Sequence, residues 1–222
     1  MTDRGLFISF EGTEGSGKST QMRLLIERLR NTGHRVTENQ EPGGTRIGTE
    51  IRRILLDPVN AQMASTTELL LMFASRAQAA EEVVLPALSR GDIVLTDRWT
   101  DSTLAYQGEA RGLGFDRVLA TQRLAIGDLL PHLTLCLEVN VEAGLSRARE
   151  RNRKLSTGTS EGRMDAQSLE FHMRVQQGYR KIAASEPDRF RIIDGSGEPN
   201  EVAERIWQTV APLLRHVSRA AS

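Results

Sequence analysis

The sequence predicts an α/β fold of three layers, in which a doubly wound, five-stranded parallel sheet lies between two layers of helices. Two features lead to this prediction. Short apolar runs of strand-forming residues recur along the chain, and segments whose apolar residues repeat with helical spacing lie between them. Strands that alternate with helices pair in parallel through right-handed crossovers, which places helices on both faces of the sheet.

The elements follow one another in a regular order. The first strand leads through a glycine-rich turn into a helix that ends before Gly33, and Gly91 later turns the chain into a buried strand that ends in a carboxylate. The predicted strands are Leu6–Phe10, Val36–Gln40, Ile93–Asp97, Leu133–Val139 and Phe190–Asp194. The predicted helices are Met22–Leu29, Arg46–Leu56, Thr66–Leu88, Phe115–Ile126, one from Val141, Ala166–Ser185 and Val202–Leu214.

Length and charge limit the functions that the chain can have. With 222 residues it is long enough for one well-buried domain, residues 1–222, and too short for two of ordinary size. Lys plus Arg number 29 and Asp plus Glu also number 29, so no net positive field exists that would hold a nucleic acid or an anionic membrane. We expect neither partner, and any anion site has to be local.

Two further features predict a cytoplasmic protein. The single cysteine, Cys136, lies in an apolar run predicted as a strand and cannot form an internal disulfide, which fits a reducing compartment. The N-terminal residues are polar, and no run approaches the roughly 20 apolar residues that are needed to span a bilayer.

The most specific motif is Gly12-Thr13-Glu14-Gly15-Ser16-Gly17-Lys18-Ser19, which lies between the first predicted strand and the first predicted helix. It satisfies the Gly-x-x-x-x-Gly-Lys-Ser/Thr pattern of phosphate-binding loops. In such a loop, backbone N–H groups and the helix N-terminus surround a phosphate, the lysine reaches the β- and γ-phosphates, and the serine hydroxyl binds Mg²⁺. The alternative is a tight glycine turn that carries a lysine by chance.

Two predicted strands end in polar segments. Asp97 lies at the carboxyl end of a strand, where open α/β sheets bind ligands, so we expect it to hold a metal; the alternative is an ordinary ion pair with Arg98. The connection Glu41–Thr45 carries two glycines and is followed by Arg52 and Arg53. Taken alone, it is equally compatible with a ligand-binding loop and with a turn before a solvated helix.

Arg76 lies halfway along an otherwise apolar predicted helix, where a guanidinium needs a partner to offset its desolvation. Met72 and Phe73, four and three residues earlier, share its face. This arrangement suits a nucleobase, because Met72 or Phe73 can stack on the ring while the guanidinium donates hydrogen bonds to its edge. The alternative is a core helix whose arginine extends to solvent.

The chain contains no Asn-Lys-x-Asp tetrapeptide, which argues against a GTPase, and an arginine-rich segment follows the fourth predicted strand. These features favour a small-molecule phosphotransferase with a closing lid. The chain resembles bacterial thymidylate kinases over nearly its whole length. The matching stretches are Phe10–Thr20, Glu41–Thr45, Leu71–Arg76, Asp97-Arg98-Trp99 and Ser102 to Gly108.

The resemblance implies the P-loop NTPase type of fold, a helical lid at about residues 147–165, and transfer of the γ-phosphoryl group of ATP to dTMP, giving dTDP and ADP in dTTP synthesis. It also implies Mg²⁺ and a homodimer. The residues implied at ATP are Gly12, Thr13, Glu14, Gly15, Ser16, Gly17, Lys18, Ser19, Thr20 and Arg147. Ser19 and Asp97 are the metal ligands that the resemblance and the motif imply.

The resemblance also implies a dTMP site. The residues implied around the base are Arg76 at the thymine carbonyl, either Met72 or Phe73 stacked on the ring, and Thr103 and Gln107 as further polar contacts. Those implied around the acceptor phosphate and the sugar are Arg52, Arg98 and Tyr106, the last of which disfavours a ribose 2′-hydroxyl.

Some thymidylate kinases carry a catalytic arginine inside the phosphate loop, where this chain has Gly15. The cation then has to come from elsewhere, and a lid arginine can close onto the charge that develops on the transferring group. Arginines recur at alternate positions here: Arg147, Arg149, Arg151 and Arg153. Arg151 is the predicted cation, with Arg149 and Arg163 as alternatives; a solvated basic helix end is the other interpretation.

The predicted catalytic residues are Lys18, Arg98, Arg151 and Glu14. The three cations neutralise phosphate charge while the acceptor oxygen is held in line, and Glu14 would orient the sugar hydroxyl or a metal-bound water. Two other functions remain open on the sequence. One is a kinase for another nucleoside monophosphate or a small alcohol, and the other is an ATP-dependent switch or partner-binding protein.

Overall fold

The computed structural model describes residues 5–154 and 162–217. Its strands are β1 (Leu6–Glu11), β2 (Val36–Gln40), β3 (Ile93–Asp97), β4 (Leu133–Glu138) and β5 (Phe190–Asp194). They form one five-stranded sheet of order β2-β3-β1-β4-β5, and every neighbouring pair is parallel. The predicted parallel sheet is confirmed, and each predicted strand agrees with an observed strand to within one residue.

Helices cover both faces of this sheet. They are α1 (Lys18–Asn31), α2 (Arg46–Leu56), α3 (Ser65–Ala79), α4 (Leu85–Ser89), α5 (Thr100–Thr103), α6 (Phe115–Ile126), α7 (Val141–Lys154), α8 (Leu169–Ser185) and α9 (Pro199–Val210). The π-helical segments Ala80–Val84 and Leu104–Ala110 continue α3 and α5. Among the helices in the described ranges, none is long and apolar enough to cross a membrane.

The predicted helices that became α1, α8 and α9 differ from the observed ones by two to four residues at one or both ends, and three regions differ more. The predicted helix Thr66–Leu88 is divided by a π-helical turn, because Pro86 lacks an N–H group and its ring crowds the preceding turn. Helix α7 continues to Lys154, so the first half of the segment predicted as a loop is helical. No pattern predicted α5 and its π-helical continuation, because their buried side includes polar residues such as Thr103 and Gln107.

Strand β1 lies at the centre of the molecule and separates two apolar layers. Leu6, Ile8 and Phe10 pack on one face with residues of α1 and α9, whereas Phe7 packs on the other face against Trp99. In the register of the sheet, Phe10 is paired with Asp97. The carboxyl ends of β1 and β3 therefore lie side by side, and the chain segments that leave this edge build the candidate site.

Candidate active site

The loop between β1 and α1 has the backbone shape of a phosphate-binding loop. Gly12, Gly15 and Gly17 all have positive φ values, of 133°, 68° and 95°, a region that side chains rarely adopt. A Cβ atom on Gly12 would lie 2.5 Å from the Leu137 carbonyl oxygen, and one on Gly15 would collide with the carbonyl of Gly144 in α7. An arginine at position 15 therefore does not fit this loop conformation.

Lys18 closes this loop on itself. Its Nζ atom donates to the carbonyl oxygens of Gly12 and Thr13, each at 3.0 Å. Burial and the nearby positive charge of Arg98 lower the pKa of Lys18 to about 8, against the opposing effect of nearby carboxylates that include Asp97. Ser19, the next residue, is exposed at the start of α1.

Arg98, directly after β3, has a left-handed backbone conformation with φ 73°, which is uncommon for a residue other than glycine. The conformation is held on both sides, because the Arg98 N–H donates to the Phe10 carbonyl at 2.9 Å and the Trp99 N–H donates to Glu11 Oε1 at 2.7 Å. The guanidinium consequently turns back over the phosphate loop. Such strain is characteristic of functional positions.

Glu14 of the phosphate loop is the centre of a buried network. The Tyr106 hydroxyl donates to its carboxylate at 2.7 Å, Arg98 Nη2 donates at 3.2 Å, and Nδ1 of His172 lies 3.0 Å from Oε2. Burial would raise the pKa of Glu14, but the contact with His172 and the charges of Arg98 and Lys18 outweigh it and lower the pKa to about 2. Glu14 is therefore an acceptor that is already surrounded by donors.

A second carboxylate, Glu11, lies at the end of β1. It accepts a hydrogen bond from the Tyr179 hydroxyl at 2.9 Å, and Arg98 Nη1 lies 4.0 Å from its Oε2. Burial and the negative charge of Asp101 raise the pKa of Glu11 to about 7. The sequence prediction gave no role to Glu11, His172 or Tyr179. Glu11 lies within the matching stretch Phe10–Thr20, whereas no motif marks the other two, and only the packing of α8 on α5 and its continuation brings them here.

Asp97 and Ser19 are the predicted metal ligands. Asp97 is partly exposed at the carboxyl end of β3, and the pKa of Lys18 is affected by its charge. No cluster of three or more His, Cys, Asp or Glu side chains that would hold a metal occurs among the described residues. One hydroxyl and one carboxylate fit Mg²⁺, since this ion is usually held by one or two carboxylates together with substrate phosphates and water.

The other end of the site contains Arg76 of α3. Its side chain is 1% exposed, so the alternative of an arginine that extends to solvent is wrong. Arg76 Nη1 donates to Thr103 Oγ1 at 2.9 Å, and the guanidinium lies over the rings of Phe73 and Trp99 at 5.0 and 5.5 Å. Among the described residues, Nε of Arg76 has no hydrogen-bond partner. A buried donor of this kind needs an acceptor, which a ligand can supply.

The connection Glu41–Thr45 lies against this end of the site. Ser75 of α3 donates to Glu41 Oε2 at 3.3 Å and accepts from the Gly43 N–H at 3.0 Å, so the loop is tied to the helix that carries Arg76. Burial raises the pKa of Glu41 to about 7 despite the charges of Arg76 and Arg52. Arg52 Nη1 donates to the Pro42 carbonyl at 2.8 Å and is partly exposed.

Gln107 is also buried here, on the π-helical continuation of α5. Its Nε2 donates to Oε1 of Glu68 at 2.7 Å, and Glu68 also contacts Arg111 and Arg163. The sequence prediction missed Glu68. The signal that marked Arg76 was present for Glu68 as well, because Glu68 is a charged residue of the same predicted helix and lies eight residues before Arg76.

Comparison with known proteins agrees with this geometry. The family model described as thymidylate kinase matches residues 10–206. The chain is 50% identical over 208 residues to the thymidylate kinase of Syntrophotalea carbinolica, which covers 94% of this chain and 96% of that protein. It is 46% identical over 214 residues to the thymidylate kinase of Desulfovibrio desulfuricans, covering 96% of this chain and 99% of that protein.

The chain belongs to the thymidylate kinase family. A solved structure of a thymidylate kinase from Ehrlichia chaffeensis superimposes with a TM-score of 0.74 at 28% identity, covering 93% of this chain and 99% of that one. The resemblance inferred from the motifs and the P-loop NTPase type of fold are thus confirmed.

The arginines that were predicted to lie in a lid belong to two regions of the structure. Arg147, Arg149 and Arg153 are exposed on α7; the helix also carries Arg151, whose side chain lies outside the described part of the structure. Residues 155–161 of the predicted lid lie outside the described residues as well. Arg163 is only 2% exposed and pairs with Glu68 at 2.6 Å, which argues against it as the alternative cation.

Proposed function

We propose that this thymidylate kinase transfers the γ-phosphoryl group of ATP to dTMP, giving dTDP and ADP, at the carboxyl edge of β1 and β3. Two observations support the proposal: the phosphate-binding loop, and the buried guanidinium of Arg76, whose Nε has no hydrogen-bond partner in the described part of the chain. Such a transfer needs two binding sites, one for the polyphosphate of the phosphate donor and one for the planar base of the acceptor. The loop suits the first, and the buried guanidinium suits the second.

ATP would lie on residues 12–20, with Arg147 of α7 beside it. The ammonium group of Lys18 donates to two carbonyl oxygens of the loop, and a phosphate would replace them as its acceptor. Ser19 and Asp97 would hold Mg²⁺, which when bound neutralises phosphate charge. The lowered pKa of Lys18 is what we expect of a buried ammonium group whose positive charge is balanced only when an anion binds.

dTMP would lie between Arg98 and Arg76. Its phosphate would contact Arg98 and Arg52, the latter on α2, and its base would accept from Arg76 near Thr103. The Phe73 ring is already stacked against the Arg76 guanidinium, so we propose that Met72, four residues before Arg76, stacks on the base. Gln107 completes the polar contacts to the base.

Glu14 and Tyr106 would act through their hydrogen bonds. The Glu14 carboxylate holds Arg98 and Tyr106 at the loop, so we propose that it orients the phosphate clamp and the residue beside the sugar rather than acting as a base. With a pKa of about 2 it is a poor proton acceptor near neutral pH. Arg151 remains the proposed lid cation on sequence grounds.

The proposal extends to a cytoplasmic homodimer. Exposed apolar side chains occur on helices that pack side by side, namely Ile47 and Ile54 of α2, Leu70 of α3 and Leu124 of α6. Exposed apolar side chains on neighbouring helices favour association of two copies. Light scattering during size-exclusion chromatography is expected to give twice the mass of 24.6 kDa, and a monomer at all concentrations would remove this part of the proposal.

The activity is tested by measuring ADP release from ATP and Mg²⁺ with dTMP, dUMP, dCMP or AMP as the acceptor. We expect ADP release that depends on an acceptor and is fastest with dTMP. Faster turnover of another monophosphate would contradict the assigned substrate. Slow hydrolysis that no acceptor stimulates would favour an ATP-dependent switch instead.

A further inference from the structure

Glu68 is a buried carboxylate that the proposed reaction does not use. It lies in the first turn of α3 with 1% exposure, and its partners come from distant parts of the chain. Gln107 donates to it at 2.7 Å, Arg111 at 3.2 Å, and Arg163 pairs with it at 2.6 Å. Burial alone would raise the pKa of Glu68, but Gln107 and Arg111 outweigh that effect and lower it. Glu68 is therefore ionised near neutral pH.

An ionised carboxylate can only accept hydrogen bonds, so Glu68 determines which way the side-chain amide of Gln107 is turned. The amide nitrogen, which carries the two N–H donors, is turned toward Glu68 and donates to its Oε1 at 2.7 Å. The amide oxygen is bonded to the same carbon and points away from the nitrogen. The side of this amide that is turned away from Glu68 and can face a ligand is therefore the acceptor oxygen.

The position of Gln107 makes this orientation relevant to the base. Gln107 lies four residues after Thr103, whose hydroxyl accepts from Arg76, on the segment that packs along α3. On α3, Glu68, Met72 and Arg76 are spaced by four residues and so share one face. Two hydrogen bonds, from Gln107 to Glu68 and from Arg76 to Thr103, thus lie on either side of Met72, the residue proposed to stack on the base.

We infer that Glu68 is a positioning residue for base selection, because it holds the Gln107 amide with its oxygen toward the base. This inference rests on the proposed function. Thymine carries an N–H donor at position 3 and a carbonyl acceptor at position 4, whereas cytosine carries an acceptor and an amino donor there. The acceptor oxygen of Gln107 matches the N–H at position 3 of thymine, and the donor nitrogen of Arg76 matches the carbonyl at position 4. Cytosine presents the wrong group to both side chains.

The test is the Glu68→Gln variant, with kcat/KM measured for dTMP and for dCMP. A glutamine at position 68 can donate as well as accept, so the Gln107 amide is free to turn. We expect the ratio of kcat/KM for dTMP to that for dCMP to fall at least about tenfold, the effect of one buried hydrogen bond, with little change in KM for ATP. The double variant E68Q/Q107E presents a carboxylate oxygen to the base in either orientation and is expected to recover the preference for dTMP.

The matched control is Asp101→Asn. Asp101 is also a buried carboxylate, held by Arg189 at 2.8 Å and by Thr134 at 2.7 Å, but it has no hydrogen bond with Gln107. It is expected to lose stability in thermal unfolding and to keep the ratio of dTMP to dCMP. A folded E68Q that keeps the ratio overturns the inference, and so does equal loss of the ratio in Asp101→Asn.

If E68Q does not fold, the inference is tested on the unmodified protein by nitrogen-15 NMR of the Gln107 side-chain amide. The signal is assigned as the one that is lost in the Gln107→Leu variant. We expect the proton that is donated to Glu68 to stay protected from exchange when dTMP binds. A large shift and a change of exchange rate on binding would mean that the nitrogen faces the base. Failure of the proposed function appears separately, as absence of dTMP-dependent ADP release by the unmodified protein.

Discussion

The two ends of the site are built in different ways. The phosphate end is a short continuous loop whose groups are mostly backbone atoms, shaped by Gly12, Gly15 and Gly17. The base end consists of side chains from α3, from α5 and from the continuation of α5, held by hydrogen bonds between residues distant in sequence. A backbone loop can be specified by one motif, whereas a group of side chains depends on the packing of the whole fold.

Two glutamates show the electrostatic side of this contrast. Glu14 at the phosphate end is surrounded by His172, Arg98 and Lys18, and its pKa is about 2. Glu41 at the base end is also buried but accepts from Ser75 at 3.3 Å, and its pKa is about 7. Glu14 is thus a fixed charge, whereas Glu41 is a carboxylate that titrates near neutral pH.

The largest effect is expected at the phosphate end. Lys18→Ala should lower kcat by about 10³-fold, because it removes the one side-chain cation within the loop. The fold should survive, since the ammonium group binds loop carbonyls rather than core residues. Lys181→Ala is the control, because that lysine forms an exposed pair with Glu109 and should leave kcat unchanged. Loss of the circular dichroism signal in Lys18→Ala would show that the loop is part of the folding core.

At the base end, Arg76→Ala should raise KM for dTMP and lower kcat/KM for it by about 10²-fold, while KM for ATP changes less than about threefold. The guanidinium is the buried donor at that end and lies on α3, away from the phosphate loop. Arg53→Ala removes an arginine of an exposed pair with Glu50 and serves as the control. Equal effects on both substrates would mean that the two ends are not separable.

The same contrast explains what the sequence could predict. The phosphate loop and all five strands were predicted because contiguous patterns specify them. Arg76 stood out as a charge in an apolar helix, and Gln107 came only through family resemblance. Glu68 and Gln107 are 39 positions apart in the sequence, and Glu14 and His172 are 158 positions apart. These contacts could not be predicted, because no local pattern encodes which helices pack together.

A third prediction concerns the contact between the phosphate loop and α7. Gly15→Ala combines a left-handed backbone with a collision against the Gly144 carbonyl, whereas a Cβ atom on Gly33, also at positive φ, meets nothing within 4 Å. Gly33→Ala should cost about 1 kcal/mol in denaturant unfolding, from backbone strain alone. Gly15→Ala should cost about 1–3 kcal/mol more and raise KM for ATP. Equal costs would show that α7 can withdraw from the loop.

The smallest effect expected is the pH dependence that Glu41 gives to the base end. Its folded pKa of about 7 lies above the ordinary value of 4.5, so the folded state binds the proton more tightly than the unfolded state. The stabilisation from the protonated form is complete below about pH 4.5 and is lost as the pH rises through 7. Glu41→Gln mimics the protonated form, and should therefore be more stable than the unmodified protein at pH 8, by about 1–2 kcal/mol, and nearly equal to it at pH 5.

Urea unfolding at both pH values measures this difference. Glu50→Gln, which removes a carboxylate from an exposed surface pair with Arg53, is the matched control and should change stability by less than about 0.5 kcal/mol at either pH. A gain for Glu41→Gln that is the same at pH 5 and pH 8 would mean that Glu41 is not protonated on folding. Glu41 would then be a fixed charge, as Glu14 is, and the electrostatic contrast between these two glutamates would be lost.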